Sequence, residues 1–91
     1  MHIYTIILDW KGGTYIYQVR ERSVDGAVQT WARELDTSPI AGFEPSLREQ
    51  LSSDLEHEAA TPLEGLTNAW CNDAVLGDEL ALIHVVKTEQ Q

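Results

Sequence analysis

Asn68-Ala69-Trp70-Cys71-Asn72-Asp73-Ala74-Val75, a turn at Gly77-Asp78, and Glu79-Leu80-Ala81-Leu82-Ile83-His84-Val85-Val86-Lys87 read together as a β-hairpin. Gly77-Asp78 suits a type II′ turn, with glycine first. That turn sets the pairs Val75/Leu80, Ala74/Ala81, Asp73/Leu82, Asn72/Ile83, Cys71/His84 and Trp70/Val85. The second arm is apolar on both parities, with Leu80, Leu82 and Val86 on one side and Ala81, Ile83 and Val85 on the other. Such a strand belongs in the middle of a sheet or under cover on both faces.

The N-terminal half supplies a second hairpin, His2 to Trp10 and Thr14 to Arg22. With Gly12-Gly13 as the loop, Trp10/Tyr15, Leu8/Tyr17, Ile6/Val19 and Tyr4/Glu21 fall on one face, largely apolar. Lys11/Thr14, Asp9/Ile16, Ile7/Gln18 and Thr5/Arg20 fall on the other. The polar second strand reads as an edge. Ser23 then caps a helix running to about Leu35, with Asp25 in its first turn. Val24, Ala27, Val28, Trp31, Ala32 and Leu35 share one side of it. Gly26 within that helix marks either a close approach to the sheet or nothing in particular. Thr37-Ser38-Pro39 ends the helix, since the residue before proline avoids the α region.

Ile40 to Glu44 is a connector. Pro45 to about Ala59 is a second helix, with proline at its first position; Ser46-Leu47-Arg48-Glu49 offers an alternative capping-box start. Leu47, Leu51 and Leu55 form a narrow stripe on an otherwise polar surface. Ala60 to Thr67 reads as a loop anchored by Leu63 and Leu66, and Thr88 to Gln91 as a polar, loose tail. The elements run ββααββ in a single α+β domain over 1–91. Strands one and four are the most apolar, so the expectation is a four-stranded antiparallel sheet, order 2-1-4-3, with both helices packed on one face. An uncovered face would leave some of Ile3, Ile7, Ile16, Ile83, Val85 and Trp70 exposed; a homodimer through the sheet face or an edge strand would cover them, or else the middle connector or the loop at 60–67 does.

The chain has 91 residues, 15 acids against 6 bases and a net charge of −9. An acidic surface disfavours direct nucleic-acid binding and anionic membranes, and suits a basic protein partner. The single cysteine forms no internal disulfide. No apolar run is long enough to span a membrane, and no basic, apolar and cleavable leader is visible, so a cytoplasmic protein is the expectation.

Cys71 and His84 are the sharpest chemical pair: the register sets them opposite each other, with Asp73 two residues along the same face. Thiol and imidazole are the minimum for a nucleophile and its base. Buried structural cysteine is the commoner reading, and nothing in the sequence supplies an oxyanion site. His57 with Asp54 or Glu58, and His2 with His84, are chance spacings for a metal; one cysteine and three scattered histidines form no zinc pattern. Glu56/Glu58 and Asp78/Glu79 sit in no cleft pattern for acid–base work. No nucleotide-binding or hydrolase motif is present, so no cofactor or metal is expected. Asp54, Glu56, Glu58, Glu64 and Trp70 are the partner-binding candidates.

The opening hairpin with Gly12-Gly13-Thr14-Tyr15, then Ser23 and its helix, resembles the first half of HicB-type antitoxins. That resemblance implies a small basic toxin as partner. The family's proline-glycine-cysteine third-strand segment has no counterpart here. Over its whole length the chain is similar to short uncharacterised bacterial proteins sharing Gly12-Gly13-Thr14-Tyr15, Pro62-Leu63-Glu64-Gly65-Leu66, Trp70-Cys71 and Leu80-Ala81-Leu82-Ile83. The leading expectation is a non-enzymatic domain that binds a basic protein, as an inhibitor of antitoxin or immunity type. A small thiol enzyme using Cys71 and His84 is the alternative, and a self-associating domain is the third.

Overall fold

A computed structural model describes residues 1–88. The order is β1 (His2–Trp10), β2 (Gly13–Glu21), α1 (Val24–Glu34), α2 (Pro45–Glu56), β3 (Thr61–Pro62), β4 (Ala69–Leu76) and β5 (Glu79–Lys87). One antiparallel sheet runs β2-β1-β5-β4-β3. Its five strands replace the expected four, and the expected order 2-1-4-3 changes because Thr61–Pro62, read as loop, adds an edge strand to β4. Proline is tolerated there because an edge strand can spare a backbone donor.

The first hairpin turns at Lys11-Gly12, not Gly12-Gly13. Both residues have positive φ, 46° and 79°, as a type I′ turn requires. Trp10 therefore pairs with Gly13 and Leu8 with Tyr15, a two-residue shift that keeps every side chain on its expected face. Gly13 lies beneath the Tyr15 ring, where a Cβ would come within 2.8 Å of the hydroxyl oxygen. The closing hairpin has the expected register from Val75/Leu80 to Trp70/Val85, and Gly77 takes φ 63°.

Ser23 Oγ accepts from the Gly26 N–H at 3.0 Å and starts α1. Gly26 does not mark close helix–sheet contact; its nearest neighbours are Ser23 and Glu21 side chains. α2 ends at Glu56, short of Ala59, with no basic residue in its last turn to offset the dipole. Glu44 is its N-cap, so the Ser46 start is unused.

Both helices cover one sheet face, α1 over β1 and β2 and α2 over β4. Tyr4, Ile6, Leu8 and Trp10 from β1 and Ala81, Ile83 and Val85 from β5 meet Ala27, Val28, Trp31, Leu51 and Leu55 there. The connector contributes more than its sequence suggests: Ile40 and Phe43 are buried, and Phe43 stands edge-on to Trp10 at 5.0 Å. Ile83 and Val85 are wholly buried, which corrects their listing among residues for an uncovered face. Trp70 also turns to the helix side, edge-on to Tyr4. Leu66 is exposed and anchors nothing; Leu63 is half-buried. The tail does not loosen at Thr88, whose N–H donates to Ile3 O at 2.7 Å; its remainder, 89–91, lies outside the described residues. Among the described residues no helix is long and apolar enough to cross a membrane.

Candidate functional site

The sheet face opposite the helices is open. Alternation and strand pairing fix its residents. Ile16, Ile7, His84, Cys71 and Thr61 form one row across all the strands. Gln18, Thr5, Val86 and Ala69 form the row beside it, and Thr14, Asp9, Leu82 and Asp73 the row on its other side. Leu80 and Val75 close one end. Relative exposure is 66% at Ile16, 61% at Val75, 50% at Leu80, 39% at Val86 and 37% at Leu82. Large aliphatic side chains left in water on one continuous face are the usual mark of a docking surface.

Polar side chains on this face pair with one another. Gln18 Nε2 donates to Thr5 Oγ1 at 3.2 Å, and the Thr5 and Thr88 hydroxyls lie 2.8 Å apart. Thr14 Oγ1 donates to Asp9 Oδ1 at 2.9 Å. Within the strands, the formal charges on this face are Asp9, Asp73 and Arg20, so most of the chain's surplus of acids lies elsewhere.

Cys71 and His84 are cross-strand neighbours at the centre of the face, as the hairpin register requires. The carboxylate nearest His84 is Asp9, on the neighbouring strand, with Oδ2 at 3.9 Å from Nδ1. Asp73 flanks Leu82 instead. Thiol, imidazole and carboxylate thus follow one another across β4, β5 and β1. Chemically, the imidazole could take a thiol proton and the carboxylate could steady the imidazolium. Cys71 is half-buried and lines a small pocket of ≈ 70 Å³ with Glu58, Ala59, Thr61, Asn72 and Asp73. No cationic side chain lines that pocket to stabilise an oxyanion.

The acidic candidates divide. Asp54 and Glu58 line a groove between the end of α2 and β4, with Ser53, His57, Asp73, Ala74 and Val75. Glu56 lines a different groove with Arg33 and Arg48. Glu64 is exposed beyond β3, and Trp70 is half-buried against the core. No family model, curated protein or solved structure matches the chain.

Two features of this region were missing from the sequence reading. One is β3, which covers the edge of β4 only as far as Cys71. The other is Asn72, 7% exposed, with an Oδ1 that has no hydrogen-bond partner. The signal was present: Asn72 is a polar residue at core parity between Trp70 and Ala74. Among the described residues no group of His, Cys, Asp and Glu is arranged to hold a metal ion.

Proposed function

We propose that this chain is a small acidic protein-interaction domain, non-enzymatic, that docks a protein partner on the open face of its sheet. The observation that carries this is that Ile16, Val75, Leu80, Leu82 and Val86 are all left exposed on that one face. Burying such side chains is worth about 25 cal/mol per Å² removed from water. The acids outside the face add a long-range field that draws in a basic partner and speeds encounter. If the partner's own working surface is the part covered, binding inhibits it.

Leu82→Lys is the informative variant. It places a charge in the middle of the face, and Asp9 and Asp73 flank it to accommodate that charge in the free chain. The test is affinity capture from the native lysate with wild-type and Leu82→Lys baits, together with solution mass against concentration. A stoichiometric partner held by wild type and lost by the variant supports the reading. A wild-type mass that doubles with concentration, and a variant that stays monomeric, assigns the face to a second copy. A partner retained equally by both baits, or neither capture nor self-association, sinks it.

A second reading rests on the Cys71–His84–Asp9 row, a thiol enzyme working at the same face. It requires rapid alkylation of Cys71 in the folded chain, slowed at least tenfold by His84→Gln. Labelling no faster than that of a free model thiol removes it.

A further inference from the structure

We propose that the outer edge of β4, from Asn72 to Val75, accepts an extended basic segment of a protein partner as an added strand. Asp54, Glu58 and Asp73 receive that segment's Lys or Arg side chains. The inference rests on the interaction-domain reading but is centred on the strand edge, which shares only Asp73 and Val75 with the open sheet face.

The backbone geometry comes first. Leu76 and Glu79 flank the tight turn, and hydrogen-bonded and non-hydrogen-bonded pairs alternate from there along the antiparallel ladder. The alternation directs the backbone groups of Ala69, Cys71, Asp73 and Val75 away from β5. Ala69 O is used, accepting from Leu63 N at 2.9 Å. β3 pairs no further than Cys71. Val75 O receives only the Gln50 side chain, at a long 3.4 Å. The amide and carbonyl of Asp73 and the amide of Val75 therefore face outward with no strand beside them, the arrangement that recruits an added strand.

The surroundings fix the charge of the guest. The groove along this edge is lined by Ser53, Asp54, His57, Glu58, Asp73, Ala74 and Val75, and holds about 640 Å³, within the range of ligand clefts. Neither it nor the small pocket at its end has a Lys or Arg in its lining. The negative end of the α2 dipole points here, and the last turn carries no basic residue. His57 is the one cation-forming side chain of the lining, and its Nδ1 is occupied by Ser53 O at 2.9 Å.

Asn72 is the independent sign of a guest. It is 7% exposed, its Oδ1 is unpartnered, and it lines the ≈ 70 Å³ pocket with Glu58 and Asp73. A buried acceptor without a donor is costly. A Lys or Arg head entering between Glu58 and Asp73 would bring that donor. A second copy of this chain is a poor occupant, since edge-to-edge pairing would set these acids against their own counterparts.

The test uses the full chain and three synthetic peptides. One alternates lysine and valine over nine residues; the second is the same peptide with every other backbone amide N-methylated; the third has glutamate in place of lysine. Binding is read by amide chemical shifts and titration calorimetry. The expected result is binding of the first peptide alone, with shifts centred on 53–58 and 71–75. Asp54→Asn with Glu58→Gln weakens it about tenfold, in line with two exposed charge pairs. Equal binding of the N-methylated peptide would show charge attraction without strand addition and overturn the proposal. So would shifts centred on Ile16, Leu80 and Leu82, or no binding. Repeating the titration on Ile16→Lys, on the opposite edge strand β2, separates the two surfaces: unchanged peptide affinity there leaves the open-face reading to its own test.

Discussion

Asp25 Oδ1 accepts a hydrogen bond from the Ala60 backbone N–H at 2.8 Å, across 35 positions of sequence. The acid that marks the start of α1 thus also holds the chain where it leaves α2 and enters β3. That contact fixes the chain between Ala59 and Thr61, two residues that line the small pocket beside Asn72. A charged acceptor on a backbone donor, partly buried, is worth about 1.5–3 kcal/mol. Asp25→Ala is expected to lower unfolding free energy by that amount in urea titration. Asp25→Asn keeps an acceptor and should lose less than half as much. Equal losses would place the effect in charge alone.

Leu82 and Ile83 are neighbours with opposite fates, 37% and 0% exposed. Ile83→Ala empties core volume beneath the helices and should cost about 2–5 kcal/mol. Leu82→Ser on the open face should change stability by no more than about 0.5 kcal/mol. Similar losses from both would mean that the open face is covered in solution, and the stability of Leu82→Ser would then depend on protein concentration.

The turn at Lys11-Gly12 permits a clean backbone test. Gly12 has φ 79° and nothing near a hypothetical Cβ. Gly12→Ala should therefore cost about 1–2 kcal/mol through backbone strain alone, visible as a fall in thermal midpoint. Gly13→Ala acts otherwise: its methyl must push the Tyr15 ring aside, which near-ultraviolet circular dichroism would register. An unchanged aromatic signal there would contradict the packing of Tyr15 over Gly13.

Asp36 receives hydrogen bonds from the Ser38 hydroxyl at 2.7 Å and the Ser38 N–H at 3.1 Å. The hydroxyl bond first, then the backbone bond, holds its carboxyl below the ordinary carboxylate range. Because the folded value is the lower one, the contribution to stability is complete above the unfolded value. It is lost as pH falls through the folded value. A carboxyl-carbon NMR titration should place the Asp36 midpoint below that of a model aspartate. Ser38→Ala should move it upward, and a midpoint insensitive to that change would assign the shift elsewhere.

Asn72 should trade stability against binding. Replacing it with leucine, close in shape, removes an unpartnered buried acceptor and should raise stability by about 1 kcal/mol. The same change should weaken the lysine–valine peptide. Lower stability on Asn72→Leu would mean that the amide already has the partner it needs within the fold.

Both hairpins, both helices and, within each hairpin, which residues share a face were legible because alternation, turn residues and caps act over a few positions. The closing-hairpin register followed from Gly77-Asp78 alone, and with it the pairing of Cys71 with His84. Shared parity is what the alternation at 80–86 could not resolve: both sets are apolar, and only the position of the helices decided that Ile83 and Val85 go inside while Leu82 and Val86 stay out.

The rest depended on contacts between distant segments. Thr61–Pro62 carries no strand signal and pairs only because β4 presents an edge there. Phe43 and Ile40 sit in a short connector with no periodicity, yet close the core against Trp10. The partner of His84 came from β1, since cross-sheet neighbours are set by strand order. The amino-acid sequence by itself determined an acidic α+β chain with two hairpins, because local patterning and charge need no knowledge of the whole. Only the tertiary structure decided which apolar face stays open and where β4 keeps a free edge, because both depend on how far each layer reaches over the next.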